Sequence, residues 1–362
     1  MKRFHLVIGL MATMLMTKQA KALNEYVAWT ALEQVYATGY LPRVAMDELY
    51  GVAGILESGT GFSTVLYETG NNQKITDPPN PTGLGSTLWN PDSTINGEVG
   101  HAAGIALAWG NGYDTAIEVH QGGQDGGGAL WYTMATTKLS KTFQIPATLH
   151  WGASSQYDTG FNPTVAVDNS SYPGASGVEQ VVEIHQATSS TSDLWYHVGW
   201  LENPDSASPT FVWGPSYQFD KGYAPSVSTA NGLVVEAHQG ASGELWYSLG
   251  TAAFFQITWS PGVNYAIGYN PSISVFGCAS CGGWTVVEVH QAFNGTGPLE
   301  MKIGSVKSIT DTKITWSSNT QYEPSGCYPS IAQNAAYLVE VHSTECGKAA
   351  NLVYSFGYFY FM

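Results

Sequence analysis

The 362-residue chain carries 13 Lys and Arg against 28 Asp and Glu, a net charge of −15. So acidic a surface repels phosphate backbones and anionic bilayers, which argues against nucleic acid or a membrane surface as partner. Charged residues are only 11%, aromatics reach 13% and Gly numbers 41, a profile of short strands and tight turns rather than amphipathic helices.

Residues 1–22 read as a secretory signal peptide. Lys2 and Arg3 form a basic start, 6–16 is an apolar run, and Ala20-Lys21-Ala22 fits a small-x-small cleavage site. The run is too short to span a bilayer. Lys18 keeps a retained anchor open as the alternative. Cleavage removes four basic residues (Lys2, Arg3, Lys18 and Lys21), leaving nine against 28 acids, a net of −19. The expectation is an exported protein, extracellular or periplasmic, with 23–362 as one domain.

That domain repeats itself. In chain order the recurring segment is AIEVHQ (116–121), VVEIHQ (181–186), VVEAHQ (234–239), VVEVHQ (286–291) and LVEVHS (338–343). Each unit opens on a tryptophan: Trp29, Trp89, Trp151, Trp213, Trp259 and Trp316. A Gly-x-x-Pro element follows at 39–42, 160–163, 222–225, 268–271 and 326–329, and decays to Gly100-His101-Ala102-Ala103 in the second unit. A loop, the Glu-x-His strand, a turn and Leu-Trp-Tyr complete the pattern. Six units span about 26 to 358. A repeat at this period is one supersecondary unit.

Each unit holds four extended segments, which in the fourth are 225–230, 233–239, 244–250 and 255–260. Their connectors are rich in Gly, Ser, Asn and Pro. The expected fold is all-β, a propeller of six four-stranded blades. After LVYSFG (352–357) the next Trp strand is missing, and EYVAWT (25–30) can supply it. The N-terminal strand would thus complete the last blade and remove a free edge.

The string Tyr-x-x-Gly-x-x-Pro-Ser-Val, then Val-Val-Glu-Val-His-Gln, then Leu-Trp-Tyr-x-x-Gly, resembles the bacterial propeller lectins of the Photorhabdus type over nearly the whole of 23–362. The resemblance implies a β-propeller that binds fucose and related or O-methylated sugars between adjacent blades. Members of that family have seven blades, whereas six repeats occur here.

The motif residues have competing readings. Glu118/His120, Glu183/His185, Glu236/His238, Glu288/His290 and Glu340/His342 each point to one side of a strand. They can be inter-blade struts, with the Glu accepting hydrogen bonds, or the His can touch sugar. A metal is the weakest reading, because two ligands per blade leave the third and fourth unsupplied. No cofactor is expected. Gln121, Gln186, Gln239 and Gln291 can both donate to and accept from sugar hydroxyls. Trp131, Trp195 and Trp246 can stack on sugar C–H faces or pack between blades. Phe161, Tyr223 and Tyr269, second in the Gly-x-x-Pro element, can wall the same pocket. Units 2, 3 and 4 alone keep the whole set. In unit 1, ILES (55–58) stands where others read Val-x-His-Gln, Glu300-Met301 replaces Trp-Tyr in unit 5, and Ser343 replaces Gln in unit 6.

All four cysteines follow residue 277, and export makes disulfides the natural reading. Strand order places Cys278 and Cys281 in one loop, and Cys327 and Cys346 on the opposite face, so two local bonds are expected rather than a zinc site. Nothing points to an enzyme. The Ser-x-Asp-x-Gly-x-Thr-Trp boxes of sialidases are missing, as are Gly-x-Ser-x-Gly and His-Glu-x-x-His. Asp114, Asp168 and Asp220 lack the spacing of a glycosidase pair. The expectation is a multivalent lectin for cell-surface glycans, with oligomerisation left open. A protein-binding propeller is the alternative, and a glycan-cleaving enzyme trails.

Overall fold

A computed structural model describes residues 26–46, 51–60, 63–72, 87–89, 93–108, 113–122, 128–138, 149–168, 178–189, 193–278, 282–334 and 337–360. The expected signal peptide lies outside them, as does Cys281 and with it the Cys278–Cys281 bond. Among the described residues no helix is long and apolar enough to cross a membrane.

The strands fall into units of successive antiparallel pairs. The first contains the end of β1 (Tyr26–Met46), β2 (Gly51–Glu57) and β3 (Ser63–Asn72), edged by β4 (Thr87–Trp89) and the start of β5 (Ser93–Ala108). The second takes the rest of β5, β6 (Tyr113–Gly122) and β7 (Ala129–Lys138), edged by β8 (His150–Trp151) and β9 (Ser155–Thr159). In the third, β10 (Phe161–Asp168), β11 (Val178–Gln186) and β12 (Asp193–Glu202) are edged by β13 (Thr210–Trp213) and β14 (Tyr217–Lys221). The fourth has β15 (Tyr223–Ala230), β16 (Leu233–Gln239) and β17 (Glu244–Ala253), edged by β18 (Gln256–Trp259) and β19 (Val263–Ile267). The fifth has β20 (Tyr269–Cys278), β21 (Gly283–Gln291) and β22 (Gly297–Val306), edged by β23 (Thr315–Trp316) and the start of β24 (Thr320–Gln333). The sixth takes the end of β24, β25 (Tyr337–Ser343) and β26 (Ala350–Tyr360). Against β26 lies the start of β1, from Tyr26 to Gly39.

The outer strand differs from the single segment expected. In units 2 to 5 it is two short pieces with a break after a tryptophan, at 152–154, 214–216, 260–262 and 317–319 in turn. Pro215 and Pro261 sit in these breaks and cannot donate to the ladder. Trp213, Trp259 and Trp316, each before such a break, and Trp29 within the uninterrupted β1 turn toward the preceding unit. Trp213 stacks on Tyr157 at 5.1 Å, Trp259 on Phe219 at 4.6 Å, Trp316 on Tyr265 at 5.3 Å and Trp29 on Tyr322 at 5.5 Å. Offset stacks at these distances add to the apolar burial they accompany.

The core lies at the seams between units. Ala106, Ile117 and Val119 of the second unit pack with Val165, Val167 and Val181 of the third. Both faces of such a strand are covered, so the runs are continuously apolar rather than alternating. The innermost strands touch in sequence, β1 to β5, β10, β15, β20, β24 and back to β1. They enclose a cavity of about 130 Å³ lined by Met46, Leu107, Val167, Thr229, Val275 and Gln333, among others.

Every innermost strand carries the same irregularity. The pairing register slips across the Gly-x-x-Pro element at Tyr40/Arg43, His101/Gly104, Phe161/Thr164, Tyr223/Ser226, Tyr269/Ser272 and Cys327/Ser330. The residue inside each slip is left-handed: Leu41, Ala102, Asn162, Ala224, Asn270 and Tyr328 have φ between 45° and 53°. This conformation costs a non-glycine residue roughly 1–3 kcal/mol, so it persists only where the surroundings hold it. A bulge re-aims neighbouring side chains, and here it recurs at each seam.

The Cys327–Cys346 bond is present, with Cα atoms 5.4 Å apart across a separation of 19 residues.

Candidate functional site

The Glu-x-His pairs are internal. Each Glu holds Nδ1 of its own His, at 3.0 Å for His120, His185, His238 and His290 and 3.1 Å for His342. All five Glu are 0% exposed and no His exceeds 2%. Each imidazole lies against the glycine of the Gly-x-x-Pro element. A Cβ at Gly100, Gly160, Gly222, Gly268 or Gly326 would collide with the ring of His120, His185, His238, His290 or His342. Burial raises the Glu236 carboxyl above its ordinary value, against the pull of His238. Burial alone would lower the His238 imidazole, but Glu236 and Asp220 outweigh it and raise it.

Three of the glutamines are also internal and Gln239 is half-buried, and Gln186, Gln239 and Gln291 act across seams. Gln121, Gln186 and Gln291 are at most 3% exposed. Gln186 Oε1 accepts from Asn162 Nδ2 at 2.7 Å in its own unit and from the Ala224 N–H at 3.0 Å in the next. Gln291 Oε1 accepts from Asn270 Nδ2 at 2.7 Å and from the Tyr328 N–H at 2.9 Å. Gln239 Oε1 accepts from the Asn270 N–H at 3.3 Å. Ala224, Tyr328 and Asn270 are the left-handed residues of the following unit. The amide therefore satisfies the N–H that the bulge removes from the ladder.

Unit 1 performs the same task with a carboxylate. Aligning ILES with Val-x-His-Gln puts Glu57 in the His place. The pairing of Tyr40 with Glu57, matching Phe161 with Gln186, puts it in the Gln place. Leu56 then lies over Gly39 as the histidines lie over their glycines. Glu57 Oε1 accepts from the Ala102 N–H at 2.6 Å, and Oε2 lies 3.0 Å from His101 Nδ1. Burial raises the Glu57 carboxyl, against the opposing pull of His101, the Ala102 N–H and Arg43.

The aromatic candidates are placed differently. Trp131, Trp195 and Trp246 are half-buried, opposite His120, His185 and His238 on the neighbouring strand. Phe161, Tyr223 and Tyr269 are half-buried too. A side chain at Gly128 would meet the Phe161 ring at 3.3 Å, and one at Gly243 the Tyr269 hydroxyl at 3.0 Å. Those glycines lie just before Trp131 and Trp246, in the turn of the preceding unit. Seams 2/3 and 4/5 thus bring the aromatic of one unit against the turn that leads into the Trp of the unit before it. The residues that sequence reasoning missed are Asn162, Asn270, Glu57 and His101. The Gly-x-Asn-Pro variants of units 3 and 5 were the visible signal for the two asparagines.

No family model matches the sequence, and no curated protein matches it. Solved structures share its fold. A Trypanosoma rangeli sialidase superposes with a TM-score of 0.54 at 9% identity, covering 90% of this chain and 55% of that one. The chain thus spans little more than half the sialidase. The Aleuria aurantia lectin in complex with Fucα1-6GlcNAc superposes at 0.53 and 9% identity, covering 89% of this chain and 96% of the lectin. The parainfluenza virus 5 hemagglutinin-neuraminidase ectodomain gives 0.54 at 9%, covering 96% and 88%. Another Aleuria aurantia lectin structure, described as a six-bladed β-propeller, superposes at 0.50 and 11% identity. The fold is that of a β-propeller. The exclusion of an enzyme drawn from missing motifs is overturned, because a sialidase and a neuraminidase match as well as a lectin does. A shared propeller does not separate binding from catalysis.

Proposed function

We propose that the chain is a secreted, multivalent carbohydrate-binding propeller for fucose or related sugars, with sites at the seams of units 2/3, 3/4 and 4/5. In this reading residues 1–22 are removed on export. The rest forms one closed ring of six blades, the last completed by the N-terminal strand. The pairing of β1 with β26 and the cyclic contact of innermost strands support closure. One observation carries the binding site: at seams 2/3 and 4/5 the half-buried Phe161 or Tyr269 packs against the glycine turn that leads into the half-buried Trp131 or Trp246 of the preceding unit. The accessible part of these indoles can stack on sugar rings. The expected partners are glycans on a cell surface. Single sites of this kind bind at micromolar to millimolar strength, and several on one disc raise apparent affinity by avidity.

A glycan array is the first test, with a fucosylated signal expected and silence counting against sugar binding. Monovalent titration with methyl fucoside then addresses one seam. Trp195→Ala should remove one site per chain and leave the others at unchanged affinity. An unchanged site count would move the pocket elsewhere.

A further inference from the structure

The seam between units 2 and 3 holds a cluster whose composition differs from the other units. His185 on β11 and His197 on β12 stack, with ring centroids 5.9 Å apart and planes 28° from parallel. Asp158, on β9 of the preceding unit, reaches both. Its Oδ2 lies 2.7 Å from His197 Nε2 and 3.8 Å from His185 Nε2. One donor atom from each of the three lies within 4.8 Å of the others. Both imidazoles are buried, while the Asp158 side chain keeps 27% of its surface open to solvent.

The remote ring nitrogens are already engaged. His185 Nδ1 is held by the Glu183 carboxylate at 3.0 Å, and His197 Nδ1 lies 2.9 Å from the Gly214 carbonyl oxygen. A carbonyl can only accept, so Nδ1 of His197 carries its hydrogen. Its Nε2 then faces a carboxylate oxygen at 2.7 Å. Two lone pairs at that distance repel unless a proton or a metal ion lies between them. Burial raises the Asp158 carboxyl, but the His197 bond, the Thr159 N–H and both imidazoles outweigh it and hold it at about 2. The other units lack this set. Thr133, Ser248, Lys302 and Ser355 occupy the place of His197, opposite Glu118, Glu236, Glu288 and Glu340. Ala266 occupies the place of Asp158 at the seam of units 4 and 5.

We propose that Asp158 Oδ2, His185 Nε2 and His197 Nε2 form a site for a divalent transition metal of the zinc class, with a fourth position facing solvent beside Asp158. Two imidazoles and one carboxylate are a ligand set that suits zinc, whereas calcium and magnesium favour all-oxygen shells. The carboxylate and carbonyl on the two Nδ1 atoms are the supports that orient metal-binding histidines. Tetrahedral bonds of about 2.0 Å set neighbouring ligands roughly 3.3 Å apart. The 2.7 Å contact must widen and the 3.8 Å contact shorten, each by about half an ångström, which rotation of the half-exposed Asp158 can supply. A metal ion there takes the place of the proton between Asp158 and His197. The third unit supplies two imidazoles, from β11 and β12, and the seam adds a carboxylate from β9 of the second unit. The inference stands apart from the carbohydrate reading.

The test is zinc titration of the chelator-stripped protein by calorimetry at pH 7.5, with cobalt absorption as a second readout. One zinc per chain at micromolar affinity or tighter is expected, with the visible bands of four-coordinate cobalt. Asp158→Ala and His197→Ser, the latter installing the residue of unit 4, should each weaken zinc binding at least tenfold. His150→Ala, at an exposed position outside the cluster, should leave it unchanged. Absence of saturable zinc binding by the wild type overturns the proposal. So does wild-type affinity in either cluster variant. If His197→Ser lowers the melting temperature sharply, Asp158→Asn decides, because it removes the charge at the partly exposed position.

Discussion

The seams of units 1/2 and 3/4 solve one problem with different chemistry. Both contain a bulge whose left-handed residue, Ala102 or Ala224, presents an N–H that the ladder does not use. At seam 3/4 the acceptor is the neutral amide of Gln186, whose oxygen also binds Asn162. At seam 1/2 it is the carboxylate of Glu57, and His101 stands beside it. His101 occupies the place that Tyr223 fills at seam 3/4. The position requires an acceptor rather than a particular residue. When the acceptor is charged, the partner chosen can carry the opposite charge, at the expense of an aromatic wall. Seam 1/2 is therefore built for cohesion, and seam 3/4 leaves its aromatics available.

Breaking the charged seam should have the larger effect. Glu57→Ala strands the buried Ala102 N–H and removes the carboxylate beside His101, and should cost about 3 kcal/mol. Glu57→Gln keeps the acceptor and should restore most of that, as read by urea unfolding. Equal losses for the two variants would mean that the charge, not the hydrogen bond, matters at this seam. Gln186→Ala should cost about 2 kcal/mol, because a buried N–H and the Asn162 amide lose their acceptor. A Gln186→Ala protein with wild-type stability but no sugar binding would instead make the amide a ligand contact.

The smallest effect expected is a pH dependence within unit 4. The His238 imidazole is raised above its ordinary 6.5, so its stabilisation is complete below that value and is lost as pH rises through the folded value. Glu236, raised above 4.5, loses its contribution in the same direction. The melting-temperature gap between wild type and His238→Asn should therefore narrow from pH 5.5 to 8.5. Parallel curves would show that the ring acts by packing alone.

Much of the fold was legible because its signals are local. Val-Val-Glu-x-His marks a strand whichever unit it occurs in, and the Cys327–Cys346 bond followed from strand order. The left-handed residue was hidden, since Leu41, Ala102, Asn162, Ala224, Asn270 and Tyr328 share no side-chain chemistry. Only the fixed interval after the glycine unites them. Glu57 was misplaced by one position, because a shift of one residue swaps the two faces of a strand and only the pairing settles it. Asp158 and His197 lie 39 residues apart on different units, and nothing short-range connects them.

By itself the sequence determined the unit, its strands and its glycines, since hydrophobic alternation and turn chemistry act over a few residues. Only the tertiary structure decided which polar side chains are spent inside. Gln186 and Trp195 are both plausible sugar ligands on paper. The N–H of Ala224 in the next unit holds Gln186 inside, while Trp195, only partly buried, remains available. That assignment depends on a donor 38 residues away, and a donor's position in space is a property of the packed seam rather than of the strand that bears the acceptor.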